Sequence, residues 1–196
     1  MVLAPLALGQ ERDLVALAKA GDRRALGKLL AAYELLAWRV CKALLPQGED
    51  LDGAVQEVLL RAVQNIGSFR GDGDFAAWLG QIATNYCRDL WRKRRVGSIV
   101  SLTSSQEDEE QGLSGSLPAP DPDPERAVRV RQGWERLLVK LRELPARQRE
   151  VFGLRFFAQL EIKQIAASLG VDVGTVKTHL HRAVRALRKE VQEAWP

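Results

Sequence analysis

Gln164-Ile165-Ala166-Ala167-Ser168-Leu169-Gly170-Val171, followed after Asp172 by Val173-Gly174-Thr175-Val176-Lys177, is the stretch on which the fold turns. Apolar residues recur at helical spacing on both sides of a short break. Ala166 is small where two helices would cross closely. Gly170 allows the left-handed backbone that ends the first helix. Asp172 is a good N-cap for the second, and Val171 and Val176 fit between the two. The pattern predicts a helix-turn-helix. Its second helix would present Thr175, Lys177, Thr178, His181 and Arg182 on an outer face, with Arg185 and Arg188 further along. Short polar groups near the helix N-terminus suit base edges in a major groove, and the cations suit phosphates. An ordinary helical hairpin with a solvated basic face shares the spacing. The agreement of core spacing, turn and charge favours DNA.

Working outward, residues 126–196 read as four helices. The first runs from about Glu125 to Glu143. The second has Pro145 at its first position and carries Val151, Leu154, Phe156 and Phe157. The third spans about Glu161 to Leu169. The fourth starts after Asp172 and carries Val173, Val176, Leu180, Val184 and Leu187. Upstream, residues 96–125 read as a linker. Prolines at 118, 120, 122 and 124 block a helix, and the run Glu107-Asp108-Glu109-Glu110 repels itself and resists burial. Residues 11–95 read as four more helices. Leu14, Leu17 and Ala18 start one stripe. Ala25, Leu29, Tyr33, Leu36, Ala37 and Val40 form another after the break at Gly21-Asp22. Val55, Val58, Leu59, Ala62 and Ile66 form a third. Phe75, Trp78, Leu79, Ile82, Ala83, Tyr86 and Leu90 form the fourth. Residues 1–10 are left as a tail. No useful length alternates polar and apolar, so the expected class is all-α: two small helical domains joined by an acidic flexible linker.

Charge separates the same three segments. Residues 1–95 hold 14 basic and 11 acidic side chains, residues 96–125 none and 7, and residues 126–196 15 and 7, so the net charge runs +3, −7, +8. Two bodies that can face a polyanion are joined by a segment that avoids one. Apolar residues make up 46% and charged residues 28%, too apolar for wholesale disorder. No stretch has the length of uncharged apolar residues that a membrane span needs, and the apolar start lacks a basic n-region, so a cytoplasmic protein is expected. Cys41 and Cys87 are too few for a disulfide scaffold and read as reduced core thiols. The only histidines are His179 and His181, with no cysteine near them in sequence, so no metal site or other cofactor is expected.

In the first body, Arg92-Lys93-Arg94-Arg95 ends a helix that mixes aromatics with polar groups: Phe75, Trp78, Asn85, Tyr86 and Trp91. Such a surface can stack unpaired bases and hydrogen-bond their edges. Helical spacing assigns Phe75 and Leu79 to the core, which leaves Asn85, Arg88 and Arg92 as nucleic-acid contacts.

Two motifs carry a family resemblance. The first is Val55-Gln56-Glu57-Val58-Leu59-Leu60-Arg61-Ala62, with Phe69-Arg70-Gly71, Phe75-Ala76-Ala77-Trp78-Leu79-Gly80-Gln81-Ile82-Ala83-Thr84-Asn85, then Asp89 and the arginine run. The second is Leu144-Pro145-Ala146-Arg147-Gln148-Arg149-Glu150-Val151-Phe152, with Val173-Gly174-Thr175-Val176-Lys177-Thr178-His179-Leu180-His181-Arg182-Ala183. In this order they resemble regions 2 and 4 of a bacterial RNA polymerase sigma factor of the small, extracytoplasmic-function (ECF) type. Gly53-Ala54-Val55-Gln56-Glu57 stands where that family commonly has Asp-Leu-Val-Gln-Glu.

The resemblance implies a transcription initiation factor and not an enzyme. Region 2 would span residues 11–95 and region 4 residues 126–196. Gln56, Glu57 and Arg61 would bind core RNA polymerase. Phe69, Arg70, Asn85, Arg88 and Arg92 would capture the −10 element as it melts. Thr175, Lys177, Thr178, His181, Arg182 and Arg185 would read the −35 element as duplex. The implied partners are core polymerase, promoter DNA and an anti-sigma factor. The alternative is a stand-alone helix-turn-helix regulator with a sensory or dimerisation domain. A recombinase or nuclease would need a catalytic cluster, and none stands out.

Overall fold

The computed structural model of the chain describes residues 8–71, 74–100 and 124–194. All regular structure among them is helical. α1 is Leu8–Lys19, α2 Arg23–Leu44, α3 Leu51–Asn65, α4 Phe75–Val100, α5 Pro124–Glu143, α6 Ala146–Phe156, α7 Ile162–Leu169, α8 Val173–Ala186 and α9 Arg188–Ala194. A single 3-10 turn, Ile66–Ser68, follows α3. The acidic run and the prolines before Pro124, expected to be a flexible linker, lie outside the described residues. At its edges, α4 extends to Val100, and Pro124 takes the first position of α5, where its missing N–H costs nothing.

Several helices start where the chain supplies a side-chain cap. Asp22 accepts from the Arg24 and Ala25 amides, and Asp50 from the Asp52 amide. Glu161 and Gln164 close a capping box on α7. Gly53 lies in the first turn of α3, and the Asp50 carboxylate fills the space a Cβ there would need. The glycine admits the cap at a position where the helix is already at its end. Pro145 caps α6 instead of starting it. Its ψ of 140° is extended, and its carbonyl accepts from the Gln148 and Arg149 amides. The last helix breaks at Leu187, giving α9 as an extra element.

α1–α4 form the first unit, with α2 as its axis. Leu29, Leu36, Ala37 and Val40 on α2 meet Val58 and Ala62 of α3 and Phe75, Leu79 and Ala83 of α4, all fully or almost fully buried. On α1 the buried residues are Val15 and Ala18, whereas Leu17, expected in that stripe, is 49% exposed. α5–α9 form the second unit around Leu137, Leu141, Phe152, Leu154, Ile165, Val176, Ala183 and Leu187. Phe156, expected to be core, turns outward from the last turn of α6 and stays against Phe152 at 4.5 Å between rings.

The two units share one continuous hydrophobic core. α2 packs on α5 and α6, and α4 on α6 and α7. Glycines set the spacing on both sides. A Cβ at Gly80 of α4 would stand 3.2 Å from Leu154 Cδ2, and one at Gly153 of α6 would stand 2.8 Å from Leu44 Cδ2. Each unit thus offers a glycine notch to a leucine of the other.

Candidate nucleic-acid interface

The helix-turn-helix forms as its spacing predicts. Gly170 ends α7 in the left-handed conformation at φ 64°, and its N–H reaches back to the Ala166 and Ala167 carbonyls. Asp172 then caps α8. It accepts from the Thr175 amide at 2.8 Å and from the Thr175 hydroxyl. The hydroxyl first, and the amide after it, hold the Asp172 carboxyl below its usual range. Val176 and Ala183 lock α8 against α6 and α7. The opposite face presents Lys177, Thr178, His181, Arg182 and Arg185, all exposed. Thr175 is half-buried and tied to its cap. The Thr178 hydroxyl donates to the Gly174 carbonyl at 2.9 Å. His179 turns half inward, its Nδ1 buried without a hydrogen-bond partner among the described residues, so His181 alone carries an imidazole on the outer face.

In the first unit, Phe69 is 5% exposed. Its ring meets Phe75 edge-on at 5.6 Å and Trp78 at 5.3 Å, and Phe75 meets Tyr33 at 5.0 Å. The side chain expected to touch a melted base instead anchors the loop that would do so, because its ring completes the aromatic cluster under α4. Lys19 Nζ fixes the same loop by donating to the Phe69 carbonyl at 2.7 Å. The exposed group beside that anchor is Arg70. The Tyr33 hydroxyl donates to Glu11. Burial first, and Glu11 after it, push the phenol far above its ordinary value.

α4 places the remaining candidates unequally. Asn85 is exposed, and its Oδ1 accepts from Arg88 Nη1 at 3.1 Å. Arg88 itself reaches across to α6. Its Nε and Nη2 donate to Glu150 Oε1 and Oε2 at 2.7 and 2.9 Å. This bidentate bond raises the arginine's pKa further, against the cost of its burial. Arg147 adds a third contact to the same carboxylate at 3.1 Å. Arg92 pairs with Asp89 at 2.9 Å. Trp91, read from the sequence as one of the aromatics of a base-stacking surface, is engaged within the chain instead. Its indole donates to the Leu44 carbonyl at 2.7 Å, and its ring lies 3.9 Å under the Arg149 guanidinium.

On α3, Gln56 is exposed, and Glu57 and Arg61 pair at 2.7 Å. The Arg61 guanidinium lies over the Tyr86 ring at 4.7 Å. Between these groups, Leu60 is 49% and Val63 39% exposed. Two apolar side chains in water on one helix face, flanked by polar groups, suit a docking surface, and the sequence reading had left them out. The thiols lie elsewhere: Cys41 and Cys87 are free and buried. Contact with the Cys41 thiol first, and burial after it, hold the Cys87 thiol well above its usual value. Among the described residues no cluster of three or more His, Cys, Asp or Glu side chains could hold a metal, and no helix is long and apolar enough to cross a membrane.

Residues 29–96 match the family described as "Sigma-70 region 2", and residues 134–187 that described as "Sigma-70, region 4". The chain is 30% identical over 177 residues to "ECF RNA polymerase sigma factor SigW" of Bacillus subtilis, covering 89% of this chain and 93% of the relative. It is 31% identical over 173 residues to "RNA polymerase sigma factor CnrH" of Cupriavidus metallidurans, covering 88% and 90%. The solved structure of CnrH in complex with the cytosolic domain of CnrY matches with a TM-score of 0.65 at 27% identity. That match covers 93% of this chain and 97% of CnrH. A sigma factor RpoE solved with the anti-sigma factor NepR from Bartonella quintana has a TM-score of 0.59 at 22% identity, covering 85% and 96%, and shares the fold.

Proposed function

This chain belongs to the sigma-70 family of RNA polymerase sigma factors, in its extracytoplasmic-function branch, and from that premise we propose that it directs core polymerase to a promoter that it reads at two elements and helps to open. Members of the family are transcription initiation factors. The observation that carries the reading is α8. Its inner side is locked by Val176 and Ala183, while Lys177, Thr178, His181, Arg182 and Arg185 stand exposed together on its outer side. That is a recognition helix set to lie in a major groove as duplex, at the −35 element. The alternative of a regulator acting without polymerase has no comparable support, since the first unit matches region 2.

The first unit would take the melted strand. Arg70 beside the Phe69 anchor, with Asn85, Arg88 and Arg92 along α4, supplies donors for bases and phosphates. Stacking on protein returns about 1–3 kcal/mol per unpaired base, against about 1.4 kcal/mol to open each duplex step. A few captured bases would therefore tip the balance once polymerase holds the DNA. The face of Gln56, Glu57, Leu60, Arg61 and Val63 would seat on the polymerase. A relative solved with the cytosolic domain of a second protein supports a protein partner as well, and an anti-sigma factor is the one we propose.

Transcription in vitro with core polymerase, with and without the chain, tests the reading. New transcripts with defined 5′ ends are expected only when the chain is present, and their absence refutes it. An Asn85→Ala variant is expected to slow promoter opening, read by permanganate footprinting, more than it weakens duplex binding. Equal losses in both would give Asn85 a structural role instead.

A further inference from the structure

We infer that Lys19 is a positioning residue for strand capture: from α1 it holds the turn Phe69-Arg70-Gly71 in the shape that presents the Arg70 side chain to an unpaired strand. This deepens the proposed function and rests on its reading of Arg70. Glu11, Val15 and Lys19 recur every four residues, so they share one stripe of α1. Each of the three supports the same end of the first unit. Glu11 accepts from the Tyr33 hydroxyl, and the Tyr33 ring lies 5.0 Å from Phe75, the ring that Phe69 meets edge-on. Val15 is 4% exposed, and a Cβ at Gly71 would stand 4.0 Å from its Cγ1. Lys19 Nζ donates to the Phe69 carbonyl at 2.7 Å, across 50 residues of sequence. α1 also packs on the 3-10 turn that leads into Phe69. It precedes residues 29–96, so this support comes from outside the segment matched to region 2.

Arg70 is thereby pinned on both sides while its own side chain stays exposed. The Phe69 carbonyl and the Arg70 amide belong to one planar peptide unit, so a donor on that oxygen sets the direction in which Arg70 leaves the backbone. On the other side Gly71 turns the chain at φ 85°, which glycine adopts without strain. Among the described residues no backbone amide donates to the Phe69 carbonyl, which leaves that oxygen to Lys19. The Lys19 ammonium is not spent on an ion pair among the described residues either. A lysine in the last turn of a helix also complements the helix dipole. That role is indifferent to where Nζ ends, whereas the reach to Phe69 is not. A long cation whose backbone is fixed in advance gives up less freedom when it binds, and that is what the support on α1 supplies.

Two variants separate these roles. Lys19→Met keeps the stem and loses the donor, and Lys19→Arg keeps both charge and donors. Nuclear magnetic resonance of the full chain reads the turn directly. The backbone order parameters of Arg70 and Gly71 are expected to fall in Lys19→Met and to recover in Lys19→Arg, with those of α3 and α4 unchanged. Unchanged values at Arg70 and Gly71 in Lys19→Met would overturn the inference. Holoenzyme carrying the same variants tests the use of the turn, on a promoter mapped by the transcription assay. Lys19→Met is expected to slow opening, read by permanganate footprinting, by about tenfold, the scale of one charge-assisted hydrogen bond. Duplex binding, read by mobility shift, should stay near the wild-type value. In an Arg70→Ala background the same change should add less than about twofold, because Lys19 acts through Arg70. Equal losses in both backgrounds would refute the positioning role and leave the transcription reading intact. Failure to find any promoter would refute the transcription reading, and with it this use of Arg70, while the order parameters would still show whether Lys19 holds the turn.

Discussion

Arg182 and Asp172 belong to one helix and its cap but differ in role: one would read, the other holds the reader in place. Arg182 is exposed on α8. If it makes a bidentate contact with a guanine, Arg182→Ala is expected to weaken promoter-duplex binding by about 1–3 kcal/mol, as a mobility-shift titration with the native holoenzyme would show. Asp172 acts through its cap. Its folded carboxyl is held below its ordinary 3.8 by the Thr175 hydroxyl and amide. A group depressed in this way stabilises fully above its unfolded pKa and loses the effect as pH falls through its folded one. The protection of the Thr175 amide, its exchange rate relative to the intrinsic rate at the same pH, is therefore expected to fall as the solution is taken below about pH 4, and Asp172→Asn should remove that loss of protection, since an asparagine caps without titrating. Nuclear magnetic resonance of the full chain reads both.

At the scale of elements, the turn between α7 and α8 is held by one left-handed residue. Gly170→Ala is expected to cost about 1–2 kcal/mol, the penalty of placing a Cβ at φ 64°, measured as a lower urea midpoint at unchanged slope. The turn was legible because glycine, cap and valines all obey local rules. For the same reason the starts of α2 at Asp22 and of α8 at Asp172 fall where the sequence puts them. The stripe on α1 was less legible. Leu14, Leu17 and Ala18 fit one helical face as well as Leu14, Val15 and Ala18 do, and which is buried depends on how α1 meets α2. The outer face of α8 could be read from spacing because its side chains stand exposed and meet no other helix among the described residues. The fates of Phe69, Arg88 and Trp91 could not, since each depends on a contact outside its own element: Phe75 and Trp78 for the first, Glu150 for the second, Leu44 and Arg149 for the third.

Across the whole molecule, the two matched regions share one apolar interior. Heating is therefore expected to give one calorimetric transition for both, with the calorimetric enthalpy equal to the van't Hoff value. Two resolved transitions would mean that the shared interior contributes little. The stacked pair of Trp91 and Arg149 has a further use. Its indole touches both halves of the protein at once, with its N–H on a carbonyl of one half and its ring against a cation of the other. Four other tryptophans emit as well, so the difference in emission between the chain and a Trp91→Phe variant is the signal that would report any separation of the halves without a dye, and a stopped-flow mixing trace would time it on adding polymerase.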